Sequence, residues 1–260
     1  MDERFILCAG ALCSDPNRSL RSALDLGITR DRSYSDYIEM AKSESMRDDG
    51  INFVSIVTPN HLHHPVAKVF LESGINVICD KPMTMNSEEA KELIDISERS
   101  NLIFAVTYNY SGYPLIREAR EIIKEGKLGK IRIIQVEYIQ DWLTKPIEKS
   151  GHKQASWRVD PSKSGLGGSI GDIGTHAFHL SHFVTQQMPE KISADLSSFV
   201  KDRELDDNAH ILMRYASGAR GMIWSSQVAP GNENNLKIQV YGEKGGLVCQ
   251  QENPNELILN

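Results

Sequence analysis

Short apolar runs alternate with amphipathic stretches from Phe5 to about Asn109. Residues 5–12 read as a strand. Asp15-Pro16 then opens a helix that runs to Gly27, with proline in the first turn, where an N–H would have no helical partner. A second helix is predicted over 36–46. Phe53-Val54-Ser55-Ile56-Val57 is the next strand, closed by Thr58-Pro59-Asn60, and the helix after it ends at Gly74, a residue suited to a helix C-terminus. Residues 75–79 form a strand, 87–99 a helix capped by Ser87, and 102–107 another strand. Strands separated by helices imply right-handed crossovers and a parallel, doubly wound sheet.

The pattern changes in the second half. Residues 113–126 form a linking helix and 130–138 a long strand, while 143–168 is polar, glycine-rich and without clear period, the signature of an active-site loop. A helix is predicted over 170–187, then strands over 192–200, 209–215, 219–227, 237–241 and 247–250. Turns at Ser217-Gly218 and at 243–246 make neighbouring strands antiparallel. The chain is thus an α/β protein in two parts, 1–112 with a parallel sheet and 113–260 with a large, mostly antiparallel sheet. One face of the second sheet is left for association, so a homo-oligomer through it is expected.

Composition narrows the class. At 260 residues one or two domains are expected. The net charge of -6 and pI near 5.8 give no electrostatic footprint for nucleic acid. No apolar run approaches a membrane span, and Met1-Asp2-Glu3-Arg4 lacks the basic start of a signal peptide, so a cytoplasmic protein with no membrane partner is expected. Cys8, Cys13, Cys79 and Cys249 make no C-x-x-C pair and read as scattered small hydrophobes.

Candidate chemistry centres on Val77-Ile78-Cys79-Asp80-Lys81-Pro82, a buried strand ending on a charged pair. The carboxyl ends of parallel strands form the ligand crevice, so Lys81 is a catalytic candidate; the alternative is a solvated lysine in a turn. One expected signal is absent. A dinucleotide-binding sheet begins with strand, Gly-x-Gly-x-x-Gly turn and helix, whereas Ala9-Gly10-Ala11-Leu12-Cys13 holds a single glycine. Gly165, Gly168, Gly171 and Gly174 follow a loop at the wrong spacing and read as turn and close packing. Residues 13–18 look like the end of the second strand of such a sheet, so the first strand is expected to be missing. In the order 3-2-1-4-5-6 that strand is central, and its loss exposes two strand edges. Either the remaining strands close the gap or the chain is a fragment; residues 5–12 as a degenerate first strand is the competing assignment.

Thr58-Pro59-Asn60-His61-Leu62-His63-His64, Asp80-Lys81-Pro82, Trp157-Arg158 and Gly171-Asp172-Ile173-Gly174-Thr175-His176 resemble, in order and spacing, the Gfo/Idh/MocA family of glucose-fructose oxidoreductase and inositol dehydrogenase relatives. The resemblance covers the chain from Leu7 to its end. It implies an NAD(P)-dependent oxidoreductase acting on a sugar or polyol, with a Rossmann-like domain followed by an α/β domain on a mostly antiparallel sheet. The sequence departs from the family in lacking the glycine-rich turn, in carrying Asp80 where glutamate is usual, and in stopping soon after Leu257-Ile258-Leu259-Asn260.

Hydride transfer needs a group to take the hydroxyl proton, a donor to polarise the oxygen and an orienting partner. His176, with an ordinary value near 6.5, is the candidate acid/base; Lys81 the polariser and relay member; Asp172, four residues earlier on the same helix face, the orienter or relay. A plain helix-stabilising pair is the alternative for Asp172 and His176. The candidate cofactor-binding set is Ser14, Asp15, Arg18, Thr58, Pro59, Asn60, His63, Asp80, Lys81, Pro82, Asn109, Trp157 and Arg158. Cys13 and Ser14 stand where an acidic residue would chelate an NAD ribose, and Arg18 is near, so the cofactor is NAD or NADP with a lean to NADP. His176, His179 and His182, and His61, His63 and His64, lack the spacing and companions of a zinc set, so no metal is expected. The second functional reading is a catalytically silent module that keeps a ligand-binding or oligomerisation surface.

Overall fold

Three short polar side chains start helices of the first half. In the computed structural model, which describes residues 4–260, Asp15 accepts the Arg18 N–H (2.7 Å) at the start of α1 (Pro16–Asp25). Asp36 does the same for Ile38 and Glu39 at α2 (Tyr37–Ser45), and Asn86 for Glu89 at α4 (Ser87–Ser100). Each satisfies a donor that the first helical turn leaves unpaired. Asn86 therefore takes the role expected of Ser87, which is already helical and gives its hydroxyl to Glu88. The remaining helix, α3 (His63–Glu72), follows a 3-10 turn at Asn60–Leu62 and is closed by Gly74, whose φ of +79° is open to glycine without a Cβ penalty. Residues Met1 to Glu3, on which the signal-peptide argument partly rests, lie outside the described residues.

The strands of this half are β1 (Gly10–Ala11), β2 (Ser33–Tyr34), β3 (Phe53–Ile56), β4 (Asn76–Cys79) and β5 (Phe104–Val106). All pair in parallel, β1 with β2, and β3, β4 and β5 in that order. Among the described residues no ladder joins the pair to the triplet. The strand expected over 5–12 contracts to Gly10–Ala11, the part that Ser33 and Tyr34 pair. Side chains bridge what the backbone does not: Ala9, Tyr34 and Met40 share one core with Val54, Phe70, Val77 and Leu93. A buried Arg32–Glu44 pair, joined by the Tyr34 hydroxyl (2.9 Å to Glu44), ties β2 to α2.

The chain separates into two compact units, the first ending at Thr107 and the second beginning at Tyr108. The boundary falls ahead of the expected 112/113 because residues 108–112 pack with the second unit. There α5 (Pro114–Lys124) and α8 (Thr175–Thr185) cover one face of a seven-stranded sheet. Its strands are β6 (Ile131–Ile139), β7 (Pro189–Ser197), β8 (Asn208–Tyr215), β9 (Arg220–Ser226), β10 (Asn235–Gly242), β11 (Gly246–Gln250) and β12 (Leu257–Leu259). They lie in the order β12-β11-β10-β6-β9-β8-β7, antiparallel except for the central β6–β9 pair. Ile116, Ala119 and Ile122 form the buried stripe of α5, and Ile134, Val136 and Tyr138 alternate inward from β6 to meet it. Burying each such isoleucine is worth about 1.5–3 kcal/mol.

Two expectations need correction. The stretch 143–168 is not an irregular loop: it contains a 3-10 turn at Ile147–Ser150, α6 (Lys153–Arg158) and α7 (Pro161–Ser164), each too short to show a helical period. The helix expected over 170–187 is two elements, a π-helical turn at Ile170–Gly174 followed by α8. A long-range clamp shapes that turn. The Asp206 carboxylate accepts the N–H groups of Gly168 and Ile170 (2.8 Å each), and its carbonyl accepts that of Ser169 (2.7 Å).

Candidate active site

In the first unit the loops after β3, β4 and β5 are stitched into one surface. Asp80 N–H bonds the Ile56 carbonyl (2.9 Å), Thr107 N–H bonds that of Cys79 (3.0 Å), and the Thr107 hydroxyl donates to Asp80 Oδ1 (2.7 Å). Asp80 is thereby fixed next to Lys81, at the sheet end where parallel α/β folds bind ligands. His63 is 1% exposed; Nδ1 faces the Pro82 carbonyl (2.7 Å) and Nε2 that of Thr58 (2.9 Å). It is a strut behind the two loops, a different role from the expected cofactor contact. Its neighbour His61 carries the open chemistry instead: His61 Nδ1 and Thr58 Oγ1 are buried and have no hydrogen-bond partner. Burial pushes the Cys79 thiol up to about 12, so it is an inert core group. Ser14, Asp15 and Arg18 lie exposed at the start of α1, with Asp15 serving as its cap.

In the second unit the geometry converges on Asp172. Its Oδ2 accepts from Arg158 Nε (3.1 Å) and from Gln227 Nε2 (2.8 Å). Arg158 is held by the Gln154 side chain (2.6 Å) and lies 4.2 Å above the Trp157 ring, while Trp157 Nε1 also donates to Gln154 (3.1 Å). Trp157 and Arg158 thus build the surroundings of Asp172, in a different unit from the loops of the parallel sheet.

His176 is 7% exposed and is walled by the edges or faces of Tyr110 (5.0 Å between centroids), Tyr108 (5.7 Å) and Tyr138 (6.1 Å). Tyr138 donates to Asn234 Oδ1 (2.8 Å), so its 2.6 Å bond with Tyr110 is one in which Tyr110 donates. Gln140 also donates to Asn234 (2.8 Å), and Trp142 to Gln140 (3.0 Å). Burial pushes the Tyr138 hydroxyl far above the usual tyrosine range, so it stays neutral. His179 and His182 turn elsewhere: His179 stacks on Tyr108, and His182 Nδ1 faces the Gln187 carbonyl (3.2 Å).

Sequence reasoning reached Lys81 and Asp80 in the first unit and Asp172, His176, Trp157 and Arg158 in the second. Asn109 is exposed at the start of the Asn109–Gly112 3-10 turn. It missed Tyr108, Tyr110, Tyr138, Gln140, Gln227 and Asn234, which come from strand ends and turns. A faint signal existed in Tyr138, a hydroxyl on the inward, otherwise apolar face of β6 that Ile134 and Val136 share.

Residues 2–108 match the family described as an oxidoreductase family with an NAD-binding Rossmann fold, and residues 116–248 match the GFO/IDH/MocA C-terminal domain. The chain belongs to the GFO/IDH/MocA oxidoreductase family. The uncharacterized oxidoreductase YfiI of Bacillus subtilis is 35% identical over 97% of this chain and 65% of its own length. Levoglucosan dehydrogenase of Pseudarthrobacter phenanthrenivorans is 30% identical over 81% of this chain and 58% of its own length. An inositol dehydrogenase homolog of Azotobacter vinelandii, solved with NAD+, superposes with a TM-score of 0.95 at 38% identity, over 98% of this chain and 66% of that one. The chain thus spans about two thirds, or less, of the length of these relatives.

The orphaned Thr58 Oγ1 and His61 Nδ1 fit the carboxamide end of a nicotinamide, which offers both a donor and an acceptor. No glycine-rich turn precedes α1 among the described residues, so the fit covers the nicotinamide end only.

Proposed function

We propose that the protein moves a hydride between NAD(P) and a secondary alcohol of a neutral sugar or polyol. The observation that carries this reading is the Asp172 carboxylate, held by Arg158 and Gln227 four residues ahead of the tyrosine-walled His176. Thr58, Pro59, Asn60 and His61 would hold the nicotinamide end, with Asp80, Lys81 and Pro82 beside it. The bound dinucleotide supplies the hydride acceptor. His176 takes the hydroxyl proton as the C–H pair leaves the carbinol carbon, Lys81 polarises the oxygen, and Asp172 orients the histidine. The inositol dehydrogenase homolog has been solved with NADH and myo-inositol, and levoglucosan dehydrogenase with NADH and levoglucosan, which supports a neutral polyol and NAD. Exposed Arg18 keeps NADP open as the alternative dinucleotide.

Leu212, Met222 and Trp224 lie on the sheet face opposite α5 and α8, with Trp224 stacked on His210. This uncovered face supports a homo-oligomer. No helix among the described residues is long and apolar enough to cross a membrane, and the acidic balance argues against nucleic acid.

Calorimetric titration with NAD, NADH, NADP and NADPH, followed by turnover on a polyol panel, tests the proposal. Binding with turnover abolished by His176→Ala is the expected result. A protein that binds none of the four favours the silent-module reading. Equal loss of dinucleotide affinity and turnover in His176→Ala removes the acid/base assignment.

A further inference from the structure

We propose that Tyr108 is a positioning residue for His176, acting through the first turn of α8; this rests on His176 as the proton-transfer group. One side chain touches three residues of that helix. The Tyr108 hydroxyl bonds Thr175 Oγ1 (2.9 Å), its ring meets His176 edge-on (5.7 Å, 88°), and its face stacks on His179 (4.0 Å, 6°).

The helix needs such a tether where it lies. It emerges from the π-helical turn, and its first turn carries no side-chain cap. The backbone stays helical through Gly174 (φ -63°, ψ -30°), so the local chain gives no capping side chain to orient this segment, and the angle of the His176 side chain is set by tertiary contacts. Tyr110 and Tyr138 commit their hydroxyls to each other and to Asn234, so they wall the imidazole without holding the helix. Tyr108 supplies both a wall and a hydrogen bond to α8. The stack suits an uncharged partner: burial, with His182 nearby, holds the His179 imidazole below the usual histidine value. Misplacing an acid/base group by about 1 Å costs on the order of 10²-fold in rate, so a tether of this kind acts on kcat.

The test compares Tyr108→Phe, Tyr108→Ala and Thr175→Ala. Ring-labelled histidine spectra, assigned with His176→Gln and His179→Gln, report the geometry without any need for turnover. In Tyr108→Ala the His179 protons should lose their ring-current displacement and the His176 signals should shift or broaden. Tyr108→Phe should keep the former and show a smaller change at His176, matched by Thr175→Ala. Kinetically, Tyr108→Ala should lower kcat by about 10²-fold with KM within about twofold, and Tyr108→Phe should restore most of it. If Tyr108→Ala does not fold, Tyr108→Leu takes its place. His176 signals unchanged when the ring is removed, or kcat within about twofold of wild type in an active enzyme, overturn the proposal. A wild-type protein without turnover on any polyol counts against the proposed function instead, and the spectra still decide the role of Tyr108.

Discussion

Arg158 and Asp172 form a half-sheltered ion pair, Nε to Oδ2 3.1 Å, with side chains 24% and 15% exposed. The guanidinium of Arg158 carries a positive charge against the Asp172 carboxylate. A ligand that also carried a carboxylate would have to compete with Asp172 for the guanidinium, which supports the neutral polyol of the proposed function.

Asp172→Asn should therefore do two things. Turnover should fall by about 10²-fold as the orienting carboxylate is lost. The released Arg158 should also raise the affinity for an aldonate relative to the corresponding polyol, measured by competitive inhibition. Arg158→Lys should not reproduce wild-type kinetics, because an ammonium lacks the planar fork that reaches Asp172 and Gln154 together. Unchanged selectivity between polyol and aldonate in Asp172→Asn would mean that Arg158 does not face the ligand.

Gly168 is a packing requirement. A Cβ there would lie 2.0 Å from the Asp206 carbonyl oxygen, a backbone atom that cannot move without breaking the clamp on Gly168, Ser169 and Ile170. Gly168→Ala should cost about 3 kcal/mol or more by urea denaturation. Gly171→Ala, which meets nothing within 4 Å, should stay within about 1 kcal/mol, so the pair of variants separates crowding from loss of chain freedom. Comparable losses in both would assign the requirement to the backbone instead.

Stability should fall on mild acidification through His179. Its imidazole is held below the ordinary value of 6.5 by burial and then by His182. The unfolded chain therefore binds the proton more readily than the folded one. Above pH 6.5 the ring is neutral in both states and the full stability is present; as pH drops below 6.5 the unfolded state gains protons first, and stability is lost until the folded value is passed. The urea midpoint should be lower at about pH 5.5 than at about pH 7.5, and His179→Phe, which keeps a ring on Tyr108, should flatten that difference. A slope unaltered in His179→Phe would place the effect on another group.

The legible part of the site is the local part. Asp172 and His176 are four residues apart, so their nearness along one helical stretch could be read directly. Asp80-Lys81-Pro82 ends a short apolar run, and chain polarity alone puts it at the carboxyl end of a strand. His61 and His63 sit in the same histidine cluster, yet the first keeps a buried nitrogen without a partner while the second is a strut; only packing on Pro82 and Thr58 distinguishes them.

The sequence by itself determined the elements whose instructions are local: helices begun by Asp15 and Asp36, the glycine that ends α3, the apolar alternation of β6 and the order of parallel strands before the mixed sheet. Tertiary structure alone decided what depends on distant partners. Gln227 reaches Asp172 from the end of β9, Asp206 shapes the π-helical turn across 38 residues, and Tyr108 grips a helix 67 residues away. The same holds for the first sheet, where β1 and β2 stand as a pair apart from β3, β4 and β5. The physical reason is common to all of these. Caps and periodicity act within one or two turns, whereas sheet register and side-chain packing fix which remote donor meets which acceptor, and a linear pattern carries no record of that choice.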